Sequence, residues 1–143
     1  MAARRIQLEV DGVTVLAELL EELSPKTTEA FWQTLPIETA LIPAKWSGQS
    51  CYYLPGGEAL RDVADLESPV CSIYPGTLVV RPRGSEALIA YGPSEYRWAI
   101  GTDYTTRVAR IVENRTEFLR VLARTHDEGE KRVSIRRVEG SPE

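Results

Sequence analysis

Apolar and polar positions alternate from the first residues of the chain. Ile6, Leu8 and Val10 alternate with Gln7 and Glu9, and Val13 and Val15 follow Asp11-Gly12. Two alternating runs about Asp-Gly predict a β-hairpin. The pattern then changes. Ser24 before Pro25 is a helix start with serine as N-cap and proline at the first helical position. Alternatively Thr27 or Thr28 is the cap and Pro25 closes the loop. Ala30, Phe31 and Leu35 give that helix a buried side, and Pro36 ends it.

Strand signals dominate the middle. "IETALIPAKW" and "SCYYLP" are short aromatic or β-branched runs cut by Gly and Pro. Three further strands are predicted over Val70–Tyr74, Thr77–Val80 and Ala87–Tyr91, turning at "PG" and "PRGS". "TRVARIVE" alternates again. Asn114 with Glu117 three residues on is a capping-box pattern. It opens a second helix with Phe118, Leu119 and Leu122 as its apolar stripe. "DEGE" turns the chain into a last strand, "KRVSIRRV". Many short strands and two helices, one early and one late, predict a mainly β fold. The expected architecture is a closed or nearly closed β-barrel capped by two α-helices. It forms one domain over residues 1–143 with a polar tail from about 139.

Composition narrows the function classes. At 143 residues the chain fits one core. A formal net charge of −4 argues against non-specific nucleic-acid binding, which needs a basic face. No apolar run approaches the roughly 20 residues a membrane helix needs, and "MAARRIQLEV" has no apolar segment of the secretory kind. The expectation is a cytoplasmic protein with reduced thiols and no membrane partner. With one histidine, His126, and two cysteines, Cys51 and Cys71, a Cys/His zinc site is not expected, and no metal or cofactor is predicted.

Single residues carry little chemistry. Core packing is the default for Cys51 and Cys71. His126 reads as a solvated residue at a helix C-terminus. Ser47 in "WSGQS" is not a nucleophile elbow. The aromatic-arginine set says more. Trp46, Tyr52, Tyr53, Tyr74, Tyr91, Tyr96 and Trp98 accumulate in the strand-and-loop region, with Arg81, Arg83 and Arg97 among them. Aromatic walls with a few fixed polar groups suit a small-ligand pocket. The expected site has Trp46 as an apolar wall. Tyr52 and Tyr91 offer ring faces and hydroxyls, with alternation deciding between Tyr52 and Tyr53. Arg81 or Arg83 anchors an anionic group. The competing reading is ordinary strand aromatics and an exposed turn.

"VTVLAELLEELSPKTTEAFWQTLP" resembles the first strands and first helix of cyclophilins, through Pro25, Lys26, Thr27 and Phe31. "KWSGQSCYYLP" and "IYPGTLVVRPRGSEALIAYG" are similar to segments of small bacterial and archaeal cyclophilin-like proteins of unknown function. The resemblance covers nearly the whole chain and implies a cyclophilin-like barrel. It also implies what is missing. Active cyclophilins carry a Phe-His-Arg step and a Gln-Gly-Gly run after the first helix, and the arginine polarises the prolyl amide. Here "WQTLPIETALIPAKWSGQSCYYLPGG" has no such step. Prolyl isomerase activity is therefore expected to be absent or very weak. The function expected is binding of a small carboxylate, amide or peptide end. The alternatives are an enzyme or enzyme subunit acting on small amides, and a homo-oligomeric interaction protein. Self-association, as a dimer or higher, is expected from strand-loop aromatics such as Trp32, Tyr53, Tyr91 and Trp98.

Overall fold

Asp11 and Gly12 both take positive φ, 50° and 78°, the conformation a two-residue hairpin turn requires. They join β1 (Arg5–Val10) to β2 (Val13–Leu19), which bury Ile6, Leu8, Val10, Val15 and Ala17 on one face. A computed structural model describes residues 3–81, 83, 86–138 and 140. The expected tail from about 139 and three residues of the "RPRGS" turn lie largely outside the described residues.

Helix α1 (Pro25–Thr34) follows the first hairpin. Strands β3 (Ile37–Pro43) and β4 (Gly48–Tyr53) come next, then a short helix α2 (Glu58–Arg61). β5 (Pro69–Val70), β6 (Ser72–Ile73), β7 (Thr77–Val80) and β8 (Ala87–Glu95) continue the sheet. A small hairpin of β9 (Arg97–Trp98) and β10 (Gly101–Thr102) precedes β11 (Thr105–Glu113). Helices α3 (Arg115–Ala123) and α4 (Thr125–Glu128) and strand β12 (Lys131–Arg137) complete the order.

Eight strands pair in the order β2-β1-β12-β3-β4-β8-β7-β11, and β11 pairs back onto β2. All these pairings are antiparallel, so the barrel is closed and has no free edge in that ring. Inward residues alternate along the regular stretches of the strands, as with Leu78 and Val80 on β7 and Ala87 and Ile89 on β8. Phe31 of α1 and Phe118 of α3 both join that core and are fully buried. Among the described residues the two expected helices are present and two short ones are added.

Three local expectations are corrected. The strand expected over Val70–Tyr74 is two, because its halves have different partners: β5 pairs with β11 and β6 with β8. Ser24 is the N-cap residue, but its hydroxyl makes no cap bond and is buried without a partner among the described residues. A carboxylate far along the chain caps instead. Glu67 accepts from the backbone N–H of Lys26 at 3.1 Å and of Thr27 at 2.7 Å, and from the Thr27 hydroxyl at 2.7 Å. The Asn114 capping box does not form either. Asn114 is left-handed, φ 56°, and its amide donates to the Thr14 carbonyl at 3.3 Å.

Candidate functional site

Strands β4 and β8 run side by side with Tyr52 opposite Leu88 and Tyr53 opposite Ala87. Alternation then separates the two tyrosines. Tyr53 points into the barrel and is fully buried, and Tyr52 points outward beside Leu88 and Ala90. The outer face here is covered by the segment that follows β8. Tyr96, Trp98, Ile73 and Val79 pack over Leu88 and Ala90 as a second apolar cluster outside the barrel.

Ser47 pins the opposite wall. Its hydroxyl donates to the Arg97 carbonyl at 3.1 Å and accepts from the Arg97 N–H at 3.1 Å, and its own carbonyl accepts from the Glu95 N–H at 3.1 Å. Gly48 makes the turn possible. Its φ is +85°, and a Cβ there would stand 2.6 Å from the Pro93 carbonyl. Between these walls lies a cleft of about 280 Å³, lined by Trp46, Tyr52, Leu88 and Trp98 on its apolar side. Lys45, Glu86 and Arg97 supply charge.

The polar groups are held by neighbours. Tyr96 donates its hydroxyl to Glu86 Oε1 at 2.5 Å. Burial, and next the accepting Glu86 carboxylate, push the Tyr96 hydroxyl far above the ordinary tyrosine range, so it stays a donor. Trp98 Nε1 donates to Asp103 Oδ2 at 2.9 Å, and that bond first, with one from the Tyr104 N–H, lowers the Asp103 carboxyl. Arg81 lies over the Trp98 ring with its guanidinium carbon 4.5 Å from the centroid. Arg97 pairs with Glu95 at 3.2 Å.

The sequence-derived residues divide over three places. Trp46 and Tyr52 line the cleft, and Arg81 does not line it but lies over the ring of its Trp98 wall. Tyr91 lines the neighbouring open groove against α3 and α4, which also holds His126 and Asp127. That groove and the cleft share Ala44 and Lys45. Arg83 is exposed, left-handed at φ 67°, and borders a crevice of about 10 Å³ beside Thr27 and Asp65. Glu86 and Lys45 went unnoticed. Glu86 was within reach of alternation, because residues 86, 88 and 90 share the outer face with Tyr52.

Cys51 is buried and its thiol is pushed up to about 11 by burial, with the Thr125 hydroxyl 3.2 Å away. It is a packed thiol, and no disulfide links it to Cys71. Among the described residues no group of three or more His, Cys, Asp or Glu is arranged to hold a metal ion. Among the described residues no helix is long and apolar enough to cross a membrane.

The model of a family described as "Protein of unknown function (DUF3830)" matches residues 6–135. The chain belongs to the DUF3830 family. No curated protein matches this DUF3830 chain. Solved structures do match, and they share its cyclophilin-like fold. McbB in complex with tryptophan has a TM-score of 0.72 at 22% identity over 96% of this chain. The match takes in 46% of the McbB chain, so the DUF3830 chain spans less than half of that protein. The hypothetical protein AF2241 from Archaeoglobus fulgidus has a TM-score of 0.63 at 17% identity, over 96% of both chains. A cyclophilin type peptidyl-prolyl cis-trans isomerase of Cryptosporidium parvum has a TM-score of 0.55 at 12% identity, over 96% of this chain and 99% of that one. At these identities the likeness is one of fold.

Proposed function

We propose that this chain binds a small molecule with a flat apolar body and a charged or amide end, an amino acid or peptide end being the class that fits best. The observation that carries the reading is the cleft between Trp46, Tyr52 and Trp98, with Glu86 and Lys45 both on its lining. Ring faces take the body of the ligand. Glu86, oriented by the Tyr96 hydroxyl, accepts from an ammonium or amide N–H, and Lys45 meets a carboxylate. The volume of about 280 Å³ suits a molecule of amino-acid size. A fold relative solved in complex with tryptophan supports the class. Calorimetric titration with tryptophan, tryptophan amide and indole-3-propionate tests it. Glu86→Gln is expected to weaken the two amine-bearing ligands about tenfold or more, since a hydrogen bond to a charged group contributes about 1.5–3 kcal/mol. Equal loss for indole-3-propionate, or no binding of any of the three, sinks the reading.

A second reading is self-association. Trp32 and Tyr53, two of the aromatics expected to drive it, are buried in the core, but Trp46 is 61% exposed, Ile100 69% and Tyr104 51%, large apolar side chains left in water. Sedimentation at micromolar concentration tests it, and a strict monomer speaks against it.

A further inference from the structure

Strand β11 breaks its alternation at Val108. Arg107 stands opposite Val79 of β7, and the following pair is Ala109 with Leu78. The bulge turns Val108 and Ala109 both onto the core. Arg107 and Arg110, three residues apart, therefore share the outer face, where a regular strand would send them to opposite sides. Together they line a cavity of about 260 Å³ whose walls include Leu20, Leu23, Ile73 and Val79. No carboxylate is among its described lining residues.

The Nε of Arg107 is buried and has no hydrogen-bond partner among the described residues. A buried donor without an acceptor is costly, more so on a cation. The nearby acids are engaged or lie to the side. Glu18 of β2 stands opposite Arg110, but its Oε2 accepts from Arg5 at 3.2 Å. Glu22 lines the adjoining cavity, where Arg110 also reaches.

We infer that this cavity binds a small organic carboxylate. The Arg107 and Arg110 guanidiniums take its charged end through parallel hydrogen bonds, and Leu20, Leu23, Ile73 and Val79 take its apolar body. A hydrated inorganic oxyanion gains nothing from those four side chains, which is why the assignment is an organic acid. No residue lines both this cavity and the aromatic cleft, so the two proposals stand or fall separately.

Phenylacetate is the probe, with phenylacetamide as its neutral analogue and inorganic phosphate as a bare anion. Isotope-labelled protein is titrated and the arginine Nε–H signals are followed by NMR. Phenylacetate is expected to shift the Arg107 signal saturably and phenylacetamide to leave it unmoved. Arg107→Met is expected to weaken phenylacetate by about thirty-fold or more, the loss usual for one member of a buried charge contact. Arg110→Gln, at an exposed position, gives a second reading of the same loss if the first variant folds poorly. Equal shifts from acid and amide overturn the inference. So do shifts from phosphate alone, or a phenylacetate response confined to tryptophan signals of the aromatic cleft.

Discussion

Tyr53 and Tyr96 are both buried, one on each side of the same barrel wall, and they live by different rules. Inside, Tyr53 packs among aliphatic side chains and its hydroxyl has no partner among the described residues. Outside, Tyr96 spends its hydroxyl on Glu86, next to Trp98 and Arg81. The interior selects for volume. The outer cluster is assembled from paired polar groups over a thin apolar floor, and that is where a ligand can be recognised.

The largest effect should come from the interior. Phe31→Ala removes a fully buried ring from the core and should cost about 3–5 kcal/mol by urea unfolding. A much smaller loss would mean that the core is not the tight region described above. The two tyrosines sharpen the contrast further. Tyr96→Phe strips Glu86 of its donor and should destabilise by about 1–3 kcal/mol, whereas Tyr53→Phe removes an unmade bond and should be neutral or stabilising by about 1 kcal/mol. If both changes destabilise alike, the distinction collapses.

Acid should act on the outside alone. Burial by itself would raise the Glu67 carboxyl, but bonds from the Thr27 hydroxyl and the Thr27 and Lys26 N–H groups bring it below its ordinary value. A depressed carboxyl adds stability above its unfolded value, and that stability is lost as pH falls through the folded one. Glu67→Gln should lower stability by about 1 kcal/mol near neutrality, a cap-sized effect, and flatten the loss below about pH 4.5. Unchanged acid unfolding in this variant would contradict the cap. The smallest expected effect is none. Without a Phe-His-Arg step the protein should leave the isomerisation of a prolyl tetrapeptide at its uncatalysed rate in a coupled proteolysis assay. Acceleration toward the roughly 10⁷–10⁸ M⁻¹s⁻¹ end of enzyme efficiencies would refute that.

How much of this was legible in the chain depends on the distance between partners. The Asp11-Gly12 hairpin and the Thr77–Val80 strand rest on neighbouring residues, and both came through with their boundaries. Many short strands between an early and a late helix already pointed to a closed or nearly closed barrel, and the resemblance to cyclophilins agreed with it. Glu67 capping a helix some 40 residues earlier has no local signature. Alternation could pose the choice between Tyr52 and Tyr53, but only the register against Leu88 and Ala87 resolves it. "TRVARIVE" reads as plain alternation, and its bulge is invisible until the partner strand is known.

Strand β12 lies between β1 and β3, with Leu8 beside Ile135 and Ile37 on its other flank. Every other strand of the ring is therefore synthesised before the one that joins the two ends of the N-terminal half. Until β12 arrives, β1 and β3 each present an open row of backbone donors and acceptors, the kind of edge that recruits a stranger. Closure over so long a loop makes folding slow, on the order of milliseconds to seconds for β topologies of this kind. A nascent chain of this design is thus most vulnerable to sticking just before β12 is made, when most of its sheet exists and its seam is still unsealed.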